Sequence, residues 1–288
     1  MTFAFDEYPE PVLMRGAYSD ALAPSVVPGF KMYYSVFDGH TWHTARATSQ
    51  DGLRWQQQGI QLSPNPATWE DSYIAGNGSA LQDGGQVWHW YEAGPSGGFR
   101  IGLERTRQVV LDHGPYMSWD ERVVADPYVI RVGLYLFMYY LGQDRSAPPR
   151  QRIGVARSPD GIHWEKLRTN PILEPGDPGS FDENGLGEPA VWQSNGYYWM
   201  LYTGRDRQEY RRIGLARSTD GVHWQKQPVV FSGAHEWDSK VICDPTVLID
   251  NGQIRVWFGG GNVARPDERL NGQIGYGTLR PMDVTLGK

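Results

Sequence analysis

The chain has one cysteine, Cys243, in 288 residues, which excludes an intramolecular disulfide framework and any cysteine-rich metal site. It also lacks an excess of positive charge. Its 27 Lys and Arg stand against 33 Asp and Glu, a formal charge of −6 at neutral pH. Nucleic acid and anionic membranes are therefore poor partners. No apolar run approaches bilayer-spanning length, and the opening MTFAFDEYPEPV has neither a basic stretch nor an apolar one, so a soluble cytoplasmic protein is expected. No amphipathic helical period stands out and no linker divides the chain. There is no HExxH-type histidine pair, glycine-rich phosphate loop, nucleotide fingerprint or Ser-His-Asp order, which removes the commonest metal, nucleotide and serine-nucleophile chemistries.

What the chain has in quantity is aromatic side chains, 13% of residues, among 40% hydrophobic and 21% charged residues. That is a globular balance with rings to spare for packing or for stacking on sugar faces. The rings recur in a pattern. Glu188 to Gly204 reads as a hairpin: an acid before a proline, a short apolar strand, a turn at Ser194-Asn195-Gly196, and an aromatic strand running back to a glycine. The same sixteen-residue interval fits Asp126 to Gly142, Asp244 to Gly260, Ala23 to Gly39 and Gly78 to Gly94. Five copies of one hairpin make an internal repeat.

A second register supports the first. Third strands start at Trp42, Ile101, Ile153, Ile213 and Ile274. Three of them lead into a Ser-x-Asp-Gly-x-x-Trp turn (49–55, 158–164, 218–224) whose aspartate is suited to bind nearby backbone N–H groups. Fourth strands follow at Ile60 to Leu62, Val109 to Leu111, Pro171 to Leu173 and Pro228 to Val230. The fifth unit lacks one, and Pro11-Val12-Leu13-Met14 near the N-terminus is left over. The economical solution is a closed ring, an all-β five-bladed β-propeller of four-stranded blades completed by an N-terminal strand, spanning 1–288 as one domain.

The meander assigns faces. The five hairpin starts share one face with the loops after the second strands, and the Asp-Gly turns, with His163 and His223, lie on the other. First strands line a propeller's axis, so Ala23, Gly78, Asp126, Glu188 and Asp244 are expected to converge on one pocket. Carboxyls sharing a funnel repel one another, which raises at least one pKa. A protonated carboxyl beside an ionised one is what glycoside cleavage requires; the alternative is that these acids only cap loop backbone.

Asp126-Pro127 and Glu188-Pro189 on successive inner strands resemble the furanosidase propellers: glycoside hydrolase family 43, with its arabinanases and β-xylosidases, and its relatives the invertase and levansucrase families. The mannoside phosphorylases of family 130 are similar. The resemblance implies that Glu188 is the general acid and that Asp126 tunes it and orients the substrate. The third residue of that pattern, a blade-one aspartate acting as base or nucleophile, is here Ala23. Asp20, three residues upstream, and Asp244, across the pocket, are the candidates to replace it.

The sequence thus points to a glycosidase acting on a small oligosaccharide or glycoside. The alternatives are a propeller that binds a sugar or metabolite without cleaving it, and a phosphorolytic or biosynthetic enzyme. Tyr18, Asn77, Trp119, Trp237 and Arg205 are the candidate sugar contacts. For the tryptophans, which recur blade after blade, packing is the favoured role. The post-strand loops are rich in arginine, read mainly as surface ion pairing with one or two guanidinium groups turned inward. No cofactor is expected. An axial calcium occurs in the resembled family without any signal for it here, and Cys243 reads as a small buried hydrophobe.

Overall fold

The computed structural model describes residues 2–282, which form twenty strands and one 3-10 turn, Glu236–Asp238. Each repeat folds as a four-stranded antiparallel meander. The first comprises β2 (Asp20–Val27), β3 (Lys31–Phe37), β4 (Trp42–Ser49) and β5 (Trp55–Leu62). The second comprises β6 (Ile74–Asp83), β7 (Gln86–Gly94), β8 (Arg100–Leu103) and β9 (Gln108–Leu111). The third comprises β10 (Val123–Val132), β11 (Tyr135–Gln143), β12 (Gln151–Ser158) and the short β13 (Glu165–Lys166). The fourth comprises β14 (Gly185–Ser194), β15 (Tyr197–Arg205), β16 (Arg211–Ser218) and β17 (Trp224–Phe231). In the fifth, β18 (Val241–Asp250), β19 (Gln253–Gly261) and β20 (Gln273–Met282) are completed by β1 (Thr2–Glu7), antiparallel to β20.

An N-terminal segment therefore does supply the missing fourth strand, but Thr2–Glu7 does so rather than residues 11–14. Phe3 and Phe5 alternate onto the core face, where Phe3 packs against Trp192 and Trp199 and Phe5 against Phe231 and Phe258. Pro9 and Pro11, lacking N–H groups, break the ladder, and Leu13 keeps only a bridge to Ile274. Leu173, expected in a fourth strand, likewise keeps only a bridge, to Ile153.

Local chemistry accounts for the joints. At the hairpin turns Asn195-Gly196 and Asn251-Gly252 both residues have positive φ, 52° and 78° in one and 49° and 78° in the other, the signature of type I′. In the Asp-Gly turns the aspartate accepts backbone N–H groups as expected, Asp160 from Ile162 and His163 at 2.9 and 2.8 Å. The turn glycine's carbonyl then accepts two ring donors. Gly161 takes Trp164 and Trp90, and Gly52 takes Trp55 and, at 2.8 Å, Trp257 of the fifth meander. One turn thereby ties two meanders.

The aromatic-acid pairs that lead into the meanders are also joints. Trp119 lies over Gly154, where a Cβ would come within 2.5 Å of the ring, while Asp120 binds Tyr140 and Lys166. Phe181-Asp182 repeats this with Tyr202 and Lys226, and Trp69-Glu70 with Tyr91 and Arg107. In the fifth meander the place of Lys166 and Lys226 is taken by Glu7, which faces Asp238. Burial, then Asp238, pushes the Glu7 carboxyl up to about 9. Glu7→Lys restores the missing cation, so it is expected to stabilise the fold by about 1 kcal/mol or more at pH 8 and by less at pH 5. Urea melts at the two pH values measure the difference, and a uniform loss of stability would contradict this account.

Candidate functional site

The first strand of each meander carries a β-bulge at the same place, between Leu22 and Ser25, Gly76 and Ser79, Ala125 and Tyr128, Gly187 and Ala190, and Cys243 and Thr246. The first bulged residue sits in the left-handed region each time: Ala23 at φ 49°, Asn77 at 41°, Asp126 at 47°, Glu188 at 51° and Asp244 at 49°. For residues other than glycine this conformation costs on the order of 1–3 kcal/mol and concentrates at functional positions. Side chains from the preceding meander's second strand satisfy the displaced amides. Ser35 Oγ accepts the Asn77 N–H at 2.7 Å, Glu92 Oε2 that of Asp126 at 2.9 Å, and Thr203 Oγ1 that of Asp244 at 3.2 Å.

Asn77, rather than Gly78, is therefore the second meander's member of the ring. Gly78 stands in the column of Pro24, Pro127, Pro189 and Pro245, because the bulge is counted from the residue before it. The ring residues line a common floor, and above it opens a cavity of about 420 Å³ lined by Asn77, Glu92, Asp126, Glu188, Asp244, Arg205 and Arg211 among others.

Four of its carboxyls, Glu92, Asp126, Glu188 and Asp244, gather at the ring, and Glu209 and Asp267 line the cavity as well. Asp126 is held well above the usual carboxylate range by burial, then by the charges of Glu92 and Glu188 and a side-chain hydrogen bond with Glu92. Asp244 is raised likewise by burial, then by Glu188 and Asp126. Burial pushes Glu92, only 2% exposed, up to about 8. Glu188 Oε2 accepts the Asp244 N–H at 2.9 Å. Arg211, 8% exposed, stays firmly protonated: burial opposes its charge, but the acidic groups beside it, Glu188 and Asp244 among them, outweigh it. The arrangement is two carboxyl pairs, Glu92 with Asp126 and Glu188 with Asp244, in which burial and neighbouring charge raise Glu92, Asp126 and Asp244 beside a buried cation.

Of the residues expected from sequence, Asp126, Glu188, Asp244, Asn77 and Arg205 line this cavity. Asp20 does not. Its buried carboxylate accepts the N–H groups of Arg269, Leu270 and Gly272 at 2.5, 2.8 and 2.8 Å, holding the loop before β20. Tyr18 packs against the apolar cluster around Trp257, and Trp119 and Trp237 cover the glycines of their own meanders. Glu92 escaped the sequence reading, although a charged residue inside an aromatic second strand is a rare and telling occurrence. Cys243 is buried, and its thiol donates to Asp244 Oδ2 at 3.1 Å. The donor atoms of Glu188, Cys243 and Asp244 lie within 4.8 Å of one another. Three donors, one of them sulfur, are fewer and softer than the oxygen shell calcium takes.

Residues 29–243 match the family described as "Glycosyl hydrolases family 32 N-terminal domain". An uncharacterized protein of Mycobacterium tuberculosis is 32% identical over 166 residues, 54% of this chain and 54% of its own length. Sucrose-6-phosphate hydrolase of Zymomonas mobilis is 33% identical over 133 residues, 44% of this chain and 24% of that protein. The chain thus spans about half, or less, of the curated relatives it matches. Among solved structures, one described as "Glycoside hydrolase" superposes with a TM-score of 0.78 at 17% identity, over 100% of this chain and 94% of that one. An α-L-arabinofuranosidase from Lactobacillus brevis gives 0.71 at 12%, over 96% and 94%. At these identities they establish the fold, the β-propeller of glycoside hydrolases.

Proposed function

From the chain's membership of the glycosyl hydrolases family 32 N-terminal domain family, we propose that its five meanders are the blades of one propeller domain and that it cleaves a glycosidic bond in the cavity at their centre. The observation that carries this reading is the pair Glu188 and Asp244 on neighbouring inner strands, with proton-holding Asp126 beside them.

With the proton on Glu188, the acid donates to the leaving glycosidic oxygen as the bond to the anomeric carbon breaks. Asp244, then a carboxylate facing Arg211, forms the new bond to that carbon, and water later displaces it with Glu188 as base. Asp244 thereby supplies the carboxylate that Ala23 does not, and Asp126, bonded to Glu92, orients the sugar and holds the local charge. Donor oxygens of Glu188 and Asp244 lie within 4.8 Å of each other, closer than the roughly 6.5–9.5 Å that an inverting pair needs to admit its water. Two relatives bear the names of sugar-cleaving enzymes, a sucrose-6-phosphate hydrolase and a 1,2-β-oligomannan phosphorylase.

The test is a screen with sucrose and nitrophenyl arabinofuranoside, xyloside and mannoside, with and without phosphate, followed by NMR of the first-formed anomer. Retention without a phosphate requirement is expected, and inversion would remove Asp244 from its role. A second reading, binding without cleavage, rests on Ala23; sugar binding with no turnover of any glycoside would establish it.

A further inference from the structure

The cavity has an uneven wall. Trp42, Tyr73 and Phe99, from the first two meanders, line one part of it, the last two stacked with centroids 5.9 Å apart and planes 4° from parallel. The fourth meander contributes arginines. Arg205 and Arg211 are directly opposite partners on β15 and β16, and both line the cavity. In the third meander the same register holds the uncharged pair Gln143 and Gln151. Like charges facing each other across neighbouring strands destabilise a sheet, and burial sharpens the repulsion, so this pairing calls for a compensating anion.

The protein's own carboxylates, Glu209 and Asp267 near Arg205, and Glu188, Asp244 and Asp267 near Arg211, lower that repulsion but leave guanidinium donors unbonded. Arg205 Nε stands 3.3 Å from Glu209 Oε2, yet neither atom has a hydrogen-bond partner although both are buried. Arg211 makes no ion pair among the described residues. Its side-chain hydrogen bonds among the described residues come from one amino group, which donates to the carbonyls of Arg265 and Pro266. Guanidinium donors left over beside a cavity, nine-tenths buried in the case of Arg211, are suited to a carboxylate or a phosphate ester.

Resting on the glycosidase reading, we propose that the substrate is an anionic glycoside, its charged group held by Arg205 and Arg211. The aromatic wall takes an apolar sugar face, and the arginines set orientation by gripping the anion. Neutral sugars of the same shape leave the spare guanidinium donors unmet and bind weakly.

The test is calorimetric titration of the full chain with D-glucuronate, D-glucose 6-phosphate, D-glucose and inorganic phosphate, on the wild type and on Arg205→Met, Arg205→Lys and Glu188→Gln. At least one charged sugar is expected to bind tenfold or more tighter than glucose. Preference for glucuronate would identify a carboxylate, and preference for glucose 6-phosphate a phosphate ester. Arg205→Met is expected to abolish the difference, Arg205→Lys to retain part of it and Glu188→Gln to keep it; thermal melts confirm that each variant folds.

Equal binding of charged and neutral sugars, no binding of either, or an Arg205→Met variant that binds the charged sugar as well as the wild type would overturn the proposal. So would inorganic phosphate binding as tightly as either sugar, since the site would then serve a free anion. Cleavage of neutral glycosides without preference for charged ones would sink this inference and leave the glycosidase reading standing. Charged-sugar binding without turnover of any glycoside would sink the glycosidase reading and reduce the arginine pair to a binding site for an anionic sugar.

Discussion

Glu188→Gln is expected to lower turnover of the identified glycoside by roughly a hundred- to ten-thousandfold, the range that a positioned acid or base contributes. It should leave the fold intact. The glutamine retains an oxygen for the Asp244 N–H, which Glu188 Oε2 accepts at 2.9 Å, and it removes one of the charges that crowd Asp244 and Asp126. Thermal stability at neutral pH should therefore hold or rise while kcat collapses. An unchanged kcat would take Glu188 out of the chemistry, whereas a collapse in both quantities would make it a structural residue.

Raising the pH from about 5 to 8 is expected to destabilise the protein, and Glu92→Gln to remove part of that loss. Glu92 releases its proton near 4.5 when unfolded and near 8 when folded. Between those values the native state binds more protons than the unfolded one, so stability falls as pH rises and levels off above about 8. Each pH unit of that window corresponds to about 1.4 kcal/mol, so Glu92 alone contributes on the order of a few kcal/mol. Asp126, Asp244 and Glu7 are raised in the same sense, which leaves a reduced slope in the variant rather than none. In Glu92→Gln the amide oxygen can still accept the Asp126 N–H, and the Asn77 amide can turn to meet the new NH2 group. Urea unfolding at half-unit pH intervals gives both slopes; parallel slopes would mean that Glu92 is not the buried acid described.

Much of this was legible because the repeat makes local chemistry speak for the whole. Asn-Gly turns, closing glycines and Asp-Gly-x-x-Trp corners each dictate one backbone event, and their recurrence placed Asp126, Glu188 and Asp244 at equivalent positions on one face. Trp119 and Trp237, offered as sugar contacts with packing the favoured role, cover glycines of their own meanders.

What stayed hidden depended on geometry that no single stretch contains. Sequence spacing put Asp20 near the pocket rim, but its carboxylate turns to bonds with a loop some 250 positions away. The second meander's ring residue was taken as Gly78 because Gly94 was counted as the closing glycine, whereas the register sets Ala93 opposite Ala75 as it sets Gly142 opposite Val124. Glu92 belongs to a second strand, and only the approach of neighbouring meanders brings it to Asp126. The closing strand was sought where prolines forbid a ladder, while Phe3 and Phe5 carried the alternation that forms it. The Arg205–Arg211 pairing required the register of β15 against β16.

The central claim, that carboxyls gathered from separate meanders hold protons in one cavity near neutral pH, is open to a direct measurement without any substrate. Side-chain 13C NMR of protein labelled at Asp and Glu carboxyls, titrated from pH 3 to 9, reads each group's protonation. At pH 7 at least two cavity carboxyl signals are expected to remain in the protonated range, one lost in Asp126→Asn and one in Asp244→Asn. If every cavity carboxyl instead titrates below about pH 5, the cavity holds no such proton store and the acid-base account is contradicted.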